Sequence, residues 1–146
     1  MKLTSPAFSN GGKIPAEYSK NQGENIPPPL EVKDVPAGTK SLVLIMDDPD
    51  VPPGRYPGDI FDHWIFFNIP PTSLHLTGGT HGQNSAHENN YFGPAPPDRE
   101  HRYFFKLYAL DTMLDLRVGA TKKQVEKAME NHILAKAELM GRYEQP

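Results

Sequence analysis

Three short stretches of the chain are strongly apolar, and each is patterned differently. Ser41 to Met46 (SLVLIM) is aliphatic at every position after its serine, as a central strand covered on both faces would be. His63 to Ile69 (HWIFFNI) predicts a second strand, with His63, Ile65 and Phe67 on one face and Trp64, Phe66 and Asn68 on the other. Arg102 to Leu110 predicts a third. There Tyr103, Phe105, Leu107 and Ala109 face one way, against Arg102, Phe104, Lys106, Tyr108 and Leu110. A fourth segment has a longer period: Val125, Met129, Ile133, Lys136 and Met140 form a stripe that predicts a helix over Lys122 to Met140. Thr121 suits its N-cap, Gln124 completes a capping box, and Gly141 sits where a C-terminal cap needs positive φ.

The remaining chain is broken by turn residues. Residues 1–40 carry Gly11-Gly12, Pro15, Gly23, Pro27-Pro28-Pro29, Pro36 and Gly38, leaving room only for short extended pieces such as Lys2 to Thr4 and Leu30 to Lys33. Val51 to Asp59 reads as a loop. Residues 72–90 are polar and predict no regular structure beyond short turns, with Gly78-Gly79 one of them. No repeat or linker divides residues 1–146, which read as one β-rich domain with a late helix.

Composition narrows the function classes. The net charge of −3, with no basic run longer than Lys122-Lys123, gives no footprint for a nucleic-acid backbone. The sixteen prolines are about twice the usual share and argue against a helical bundle. The absence of cysteine removes disulfides, thiol catalysis and Cys-based zinc sites. No apolar leader-like run is visible and the longest aliphatic run is Leu42 to Met46, so a soluble, cytoplasmic protein without a membrane span is expected.

Candidate chemistry gathers at strand ends. Asp48 and Asp50 follow the first strand, His63 opens the second, and His101 with Tyr103 opens the third after the stiff segment YFGPAPPDREHRY (Tyr91 to Tyr103). Pro49 between the two aspartates predicts that both carboxylates point to the same side, and Gly93 is expected to leave a main-chain N–H open to approach. Carboxylates near imidazoles favour charged imidazoles, so His63 and His101 are expected to act as double donors. Together these groups suit phosphate, sulfate, an acidic side chain or a phospho-amine zwitterion. Each cluster also has a plainer reading: Asp48-Pro49-Asp50 as a turn, His63 as an edge histidine, Tyr103 as a core tyrosine.

Other chemistries fit less well. His75, His81 and His87 recur every six residues, which suits no shared ligand face, and no HExxH occurs. A metal held by Asp48, His63 and His101 is conceivable, but no metal or other cofactor is expected. No GxSxG occurs and no Ser or Thr lies within the clusters, so nucleophilic catalysis is disfavoured.

At these residues the chain resembles the phosphatidylethanolamine-binding protein family, also called the Raf kinase inhibitor protein family, and most closely its shorter bacterial and archaeal branch. The matching pieces are DDPDVP at 47–52, HW at 63–64 followed by Asn68-Ile69-Pro70, and YFGPAPPDREHRYFFKLYALD at 91–111. The opening FSNGGKIPAEYS and the closing AELMGRY also match, so the resemblance spans nearly the whole chain. It implies a mainly β fold, an antiparallel β-sandwich with Greek-key connections plus a C-terminal α-helix. It also implies a small anion cavity carried by Asp48, Asp50, Pro52, His63, Tyr91, Gly93, His101 and Tyr103. Family members bind phosphorylated headgroups, and some inhibit kinases or serine proteases. By resemblance a phosphate- or phosphoethanolamine-like ligand, a kinase or protease partner and a homodimer are expected. Relatives often have a glycine before His-x-Tyr; here Asp98-Arg99-Glu100 makes that rim charged. The expectation is therefore a non-enzymatic binding and regulatory protein. The alternatives are a hydrolase or isomerase of a phosphorylated small molecule working through Asp48 and His63, and a protease inhibitor working through the Val51 to Asp59 loop.

Overall fold

The structure, a computed structural model, describes residues 1–72 and 74–146. In chain order the elements are β1 (Lys2–Thr4), β2 (Glu31–Lys33), β3 (Ser41–Asp48), β4 (Phe61–Ile69), β5 (Thr80–His81), β6 (His101–Leu110), α1 (Lys122–Met129) and β7 (Ile133–Tyr143). The three apolar stretches became the three central strands, and both short N-terminal pieces formed strands as read. Strand β5 lies within 72–90, where only turns were expected, and it is two residues long.

β1 and β2 form a small antiparallel sheet, and the other five form a second in the order β5-β4-β3-β6-β7. β3, β4 and β5 are successive neighbours, while β6 returns past them to pair with β3. That arrangement is a Greek key. All eight residues of β3 are buried, as its two-sided apolar run demands. One face carries Leu42, Leu44 and Met46, which pack with Tyr103, Phe105 and Leu107 against Leu3 and Val32 of the small sheet and the adjoining Leu30. The other face carries Val43 and Ile45, which pack with Ile65 and Phe67 under Val125 and Met129 of α1. The molecule is thus a sandwich with a helix on its outer face.

The late helix is shorter than its stripe predicts. It starts at Lys122 with the Thr121–Gln124 capping box formed in both directions. It ends at Met129, because Glu130 leaves helical φ/ψ and Asn131 takes φ 67°. From Ile133 the chain reverses and pairs with the whole of β6. Ala135, Ala137 and Leu139 turn inward at a period of two, but the small side chains mute that signal, and Leu, Ala, Lys and Glu favour helix locally. The unpaired edge of β6 overrides that preference. Gly141 is accordingly not a helix cap. It lies within β7, where a Cβ would come 2.5 Å from Ile14 Cγ1 and 2.8 Å from Phe8 Cε2.

Candidate functional site

The end of β3 sends neighbouring carboxylates to opposite faces. Asp47 points under the helix, 3.0 Å from Lys106 Nζ and 3.7 Å from Lys122 Nζ. Asp48 points into the sandwich mouth, where its Oδ1 accepts from the Asp50 N–H at 2.7 Å in a tight Asx turn over Pro49. That turn swings Asp50 outward. Its carboxylate takes the Arg102 Nε and Nη2 hydrogens at 2.9 and 2.8 Å, and the Arg102 main-chain N–H at 2.9 Å. Arg102 holds the Asp50 carboxyl below the usual carboxylate range. The two aspartates therefore do not share a side, and Asp50 staples the corner to β6 rather than lining the cavity.

His63 owes its position to a β-bulge. Met46 pairs with Trp64 and Asp47 with Asp62, so His63 is the extra residue between them. The bulge separates it from Ile65 and Phe67, correcting the simple alternation. Its ring lies 4.6 Å from Phe61, 5.7 Å from Phe92 and 5.2 Å from Tyr103, edge-on to the last at 81°. Nδ1 is 2.6 Å from the Phe92 carbonyl, and because a carbonyl only accepts, Nδ1 carries the proton. Nε2 is left with a lone pair and, among the described residues, no hydrogen-bond partner. Burial pulls the His63 pKa down to about 4, with main-chain contacts at Phe92 and Gly93 opposing. The imidazole is neutral at pH 7, contrary to the expected double donor.

His101 is fully buried and held at both ends. Nδ1 lies 2.7 Å from Asp48 Oδ2, and Nε2 lies 2.7 Å from Asp98 Oδ1. Each short gap holds a proton, so three groups share two protons and the cluster has a net charge of −1. Burial raises the Asp48 pKa, with the His101 hydrogen bond opposing. His101 has no free N–H for a ligand.

Around these groups lies a cavity of about 150 Å³. Asp48, His63, His101 and Tyr103 form its floor, and Val51, Pro52, Arg55 and Tyr56 form one side. Phe92, Ala95 and Pro97 form the roof, and Phe61 closes the back. The Tyr103 hydroxyl is buried without a hydrogen-bond partner, a state shared among the described residues by Tyr143, which does not line the cavity. Burial raises the Tyr103 pKa, and the Asp48 charge adds to it. The Ala95 N–H approaches the phenol oxygen and favours its ionised form slightly, without reaching hydrogen-bond geometry. With Pro94, Pro96 and Pro97 around it, Ala95 carries the only main-chain N–H between residues 94 and 97.

Four expected residues line this cavity with Pro52: Asp48, His63, His101 and Tyr103. Tyr91 and Gly93 instead tie the roof to the N-terminal segment. The Tyr91 hydroxyl donates to the Tyr18 carbonyl at 2.8 Å, and the Gly93 N–H donates to Asn25 Oδ1 at 2.7 Å. The open N–H expected at Gly93 is thus taken. A Cβ on Gly93 would collide with the Tyr18 carbonyl and fall 2.9 Å from Asn25 Oδ1. Reading by motif missed Arg55, the aromatic wall and the Ala95 N–H. The run of prolines around a single non-proline was the available signal for Ala95.

The model of the family described as phosphatidylethanolamine-binding protein matches residues 4–144. A UPF0098 protein of Chlamydia trachomatis is 50% identical over 149 residues, covering 99% of each chain. A UPF0098 protein of the archaeon Methanothermobacter thermautotrophicus is 46% identical over 154 residues, covering 98% of each. The crystal structure of a Chlamydia trachomatis homolog of phosphatidylethanolamine-binding protein superposes with a TM-score of 0.95 at 48% identity, covering 99% of this chain and 97% of that one.

Proposed function

The chain belongs to the phosphatidylethanolamine-binding protein family, and from that premise we propose that it is a binding protein, not an enzyme, whose cavity takes a small oxyanion of the phosphomonoester kind. The observation that carries this is the Tyr103 hydroxyl, buried and unpartnered in the cavity beside the Ala95 N–H. A buried polar group without a partner costs roughly 1–3 kcal/mol, which an oxyanion reaching it would recover. Arg55, exposed at the mouth, supplies a cation. The volume of about 150 Å³ suits a headgroup-sized ligand, since drug-sized ligands occupy roughly 300–1,000 Å³. Any modulation of a kinase or serine protease would then run through protein contacts around this mouth.

An acid–base enzyme working through Asp48 and His63 is less well supported. A general base works best with a pKa near the operating pH, and His63 sits near 4. Both Asp48 oxygens already accept hydrogen bonds. Among the described residues, none that lines the cavity is a Ser, Thr, Cys or Lys.

The test is a titration of phosphoethanolamine into ¹⁵N-labelled protein, wild type against Tyr103→Phe. Saturable shifts centred on Ala95, His63 and Tyr103 are expected, with affinity about tenfold weaker in Tyr103→Phe for one lost hydrogen bond to a charged ligand. Shifts of equal size and affinity in the two proteins would remove the hydroxyl from the site.

A further inference from the structure

We propose that the cavity selects oxyanions that bring their own proton, phosphomonoesters, over those that cannot, sulfate and phosphodiesters, and that Asp98 sharpens the choice against sulfate from outside the cavity. The proposal rests on the oxyanion reading above and specifies its ligand class.

Donors on the lining residues include the Tyr103 and Tyr56 hydroxyls, the Ala95 N–H and the Arg55 guanidinium. Two lining residues carry acceptors: His63, whose Nδ1 proton on the Phe92 carbonyl leaves Nε2 a lone pair, and the Asp48 carboxylate. A fully deprotonated tetrahedral anion presents only lone pairs. It satisfies the donors but sets its remaining oxygens against His63 and Asp48. A phosphomonoester has a second pKa near 6, so its monoanion keeps one O–H for either acceptor. Sulfate and a phosphodiester have no such proton near neutral pH.

The charge around the floor acts in the same direction. The Asp48–His101–Asp98 cluster is net −1, because both imidazole nitrogens face carboxylates. Asp50 and Arg102 cancel, and Arg99 stands 3.9 Å from Asp98 on the surface. The side chain of Asp98 is 42% exposed and does not line the cavity, yet its carboxylate offsets the charge His101 would otherwise offer an anion. Replacing it with asparagine leaves the acceptor oxygen for His101 and removes the charge. The cluster then becomes neutral, and the doubly charged sulfate gains most.

The experiment measures binding of phosphoethanolamine, glycerophosphoethanolamine and inorganic sulfate by NMR or calorimetry at pH 6 and pH 8, in wild type and Asp98→Asn. Phosphoethanolamine should bind wild type about tenfold tighter than sulfate or the diester at pH 6, the scale of one hydrogen-bonded charge mismatch. Its affinity should fall roughly eightfold by pH 8, to about that of sulfate, as the monoanion gives way to a dianion without a proton around a second pKa near 6. Sulfate does not titrate, so its affinities at the two pH values isolate the protein's own groups: Asp48 at the end of β3, Asp50, Arg55 and Tyr56 after it, His63 on β4, Asp98 and Arg99 in the roof loop, and His101, Arg102 and Tyr103 on β6. Asp98→Asn should raise sulfate affinity roughly three- to tenfold, the effect of one partly screened charge. Equal wild-type affinities for sulfate and phosphoethanolamine overturn the selection. An unchanged affinity ratio in Asp98→Asn removes Asp98 from it. If none of the three ligands binds, the oxyanion reading itself fails.

Discussion

A histidine enclosed by three aromatic rings has little water to stabilise its charged form, and this sets how His63 behaves with pH. Its folded pKa, about 4, lies below the ordinary 6.5. Between those values the unfolded chain binds the proton and the folded chain does not. Stability therefore rises with pH from about 4 to about 6.5, and the full penalty applies below 4. The size is ~3 kcal/mol at 1.4 kcal/mol per pKa unit. We expect the His63 ring signals to stay at their neutral positions from pH 8 down to 5.5. A midpoint near 6.5 would show the ring to be solvated and charged when expected to be neutral. The sequence pointed to His63 through the His63-Trp64 pair, but not to its charge state, which depends on a bulge and on Phe92 from another segment. Asp48 and Asp50 differ for a similar reason: one Asx-turn hydrogen bond sends them apart, and spacing across a proline does not reveal it.

Among the elements, strands β3, β4 and β6 were legible because large apolar side chains mark most of their inward positions. The chain after Met129 was not, because β7 packs Ala135, Ala137 and Gly141 where a strand pattern would normally show Val or Ile. The reversal depends on Asn131, whose φ of 67° is a conformation that only Asn, Asp and Gly adopt readily. Asn131→Gly should be neutral or mildly stabilising. Asn131→Val should destabilise by roughly 1–2 kcal/mol, the cost of forcing a branched residue into left-handed geometry. Urea midpoints at constant m-value would read both. A continuous helix through this point would reverse the order, since glycine is the poorer helix former.

For the whole molecule, the N-terminal segment gives structural support to the cavity roof. Tyr91 and Gly93 hang from Tyr18 and Asn25, and the Lys20 N–H bonds the Pro94 carbonyl at 3.0 Å. These three bonds fix the turn that presents the Ala95 N–H to Tyr103. Nearer its start, the segment seals the edge of β7 through the Gly11 N–H to the Met140 carbonyl at 2.7 Å and the Ile14 N–H to the Arg142 carbonyl at 2.8 Å. Tyr91 and Tyr103 thus contribute to the same cavity by different routes, one holding its roof and one facing its ligand. Removing either hydroxyl should weaken phosphoethanolamine binding, but only Tyr91→Phe should also loosen the roof. In Tyr91→Phe, amide exchange at Phe92, Gly93 and Ala95 should speed up about tenfold with no ligand present, the consequence of losing one hydrogen bond worth roughly 1 kcal/mol or a little more. In Tyr103→Phe those amides should exchange as in wild type. Unaltered exchange in Tyr91→Phe would mean the roof stands without its anchor, and Tyr91 would then owe its place to packing against Trp64, whose ring it meets edge-on at 5.4 Å.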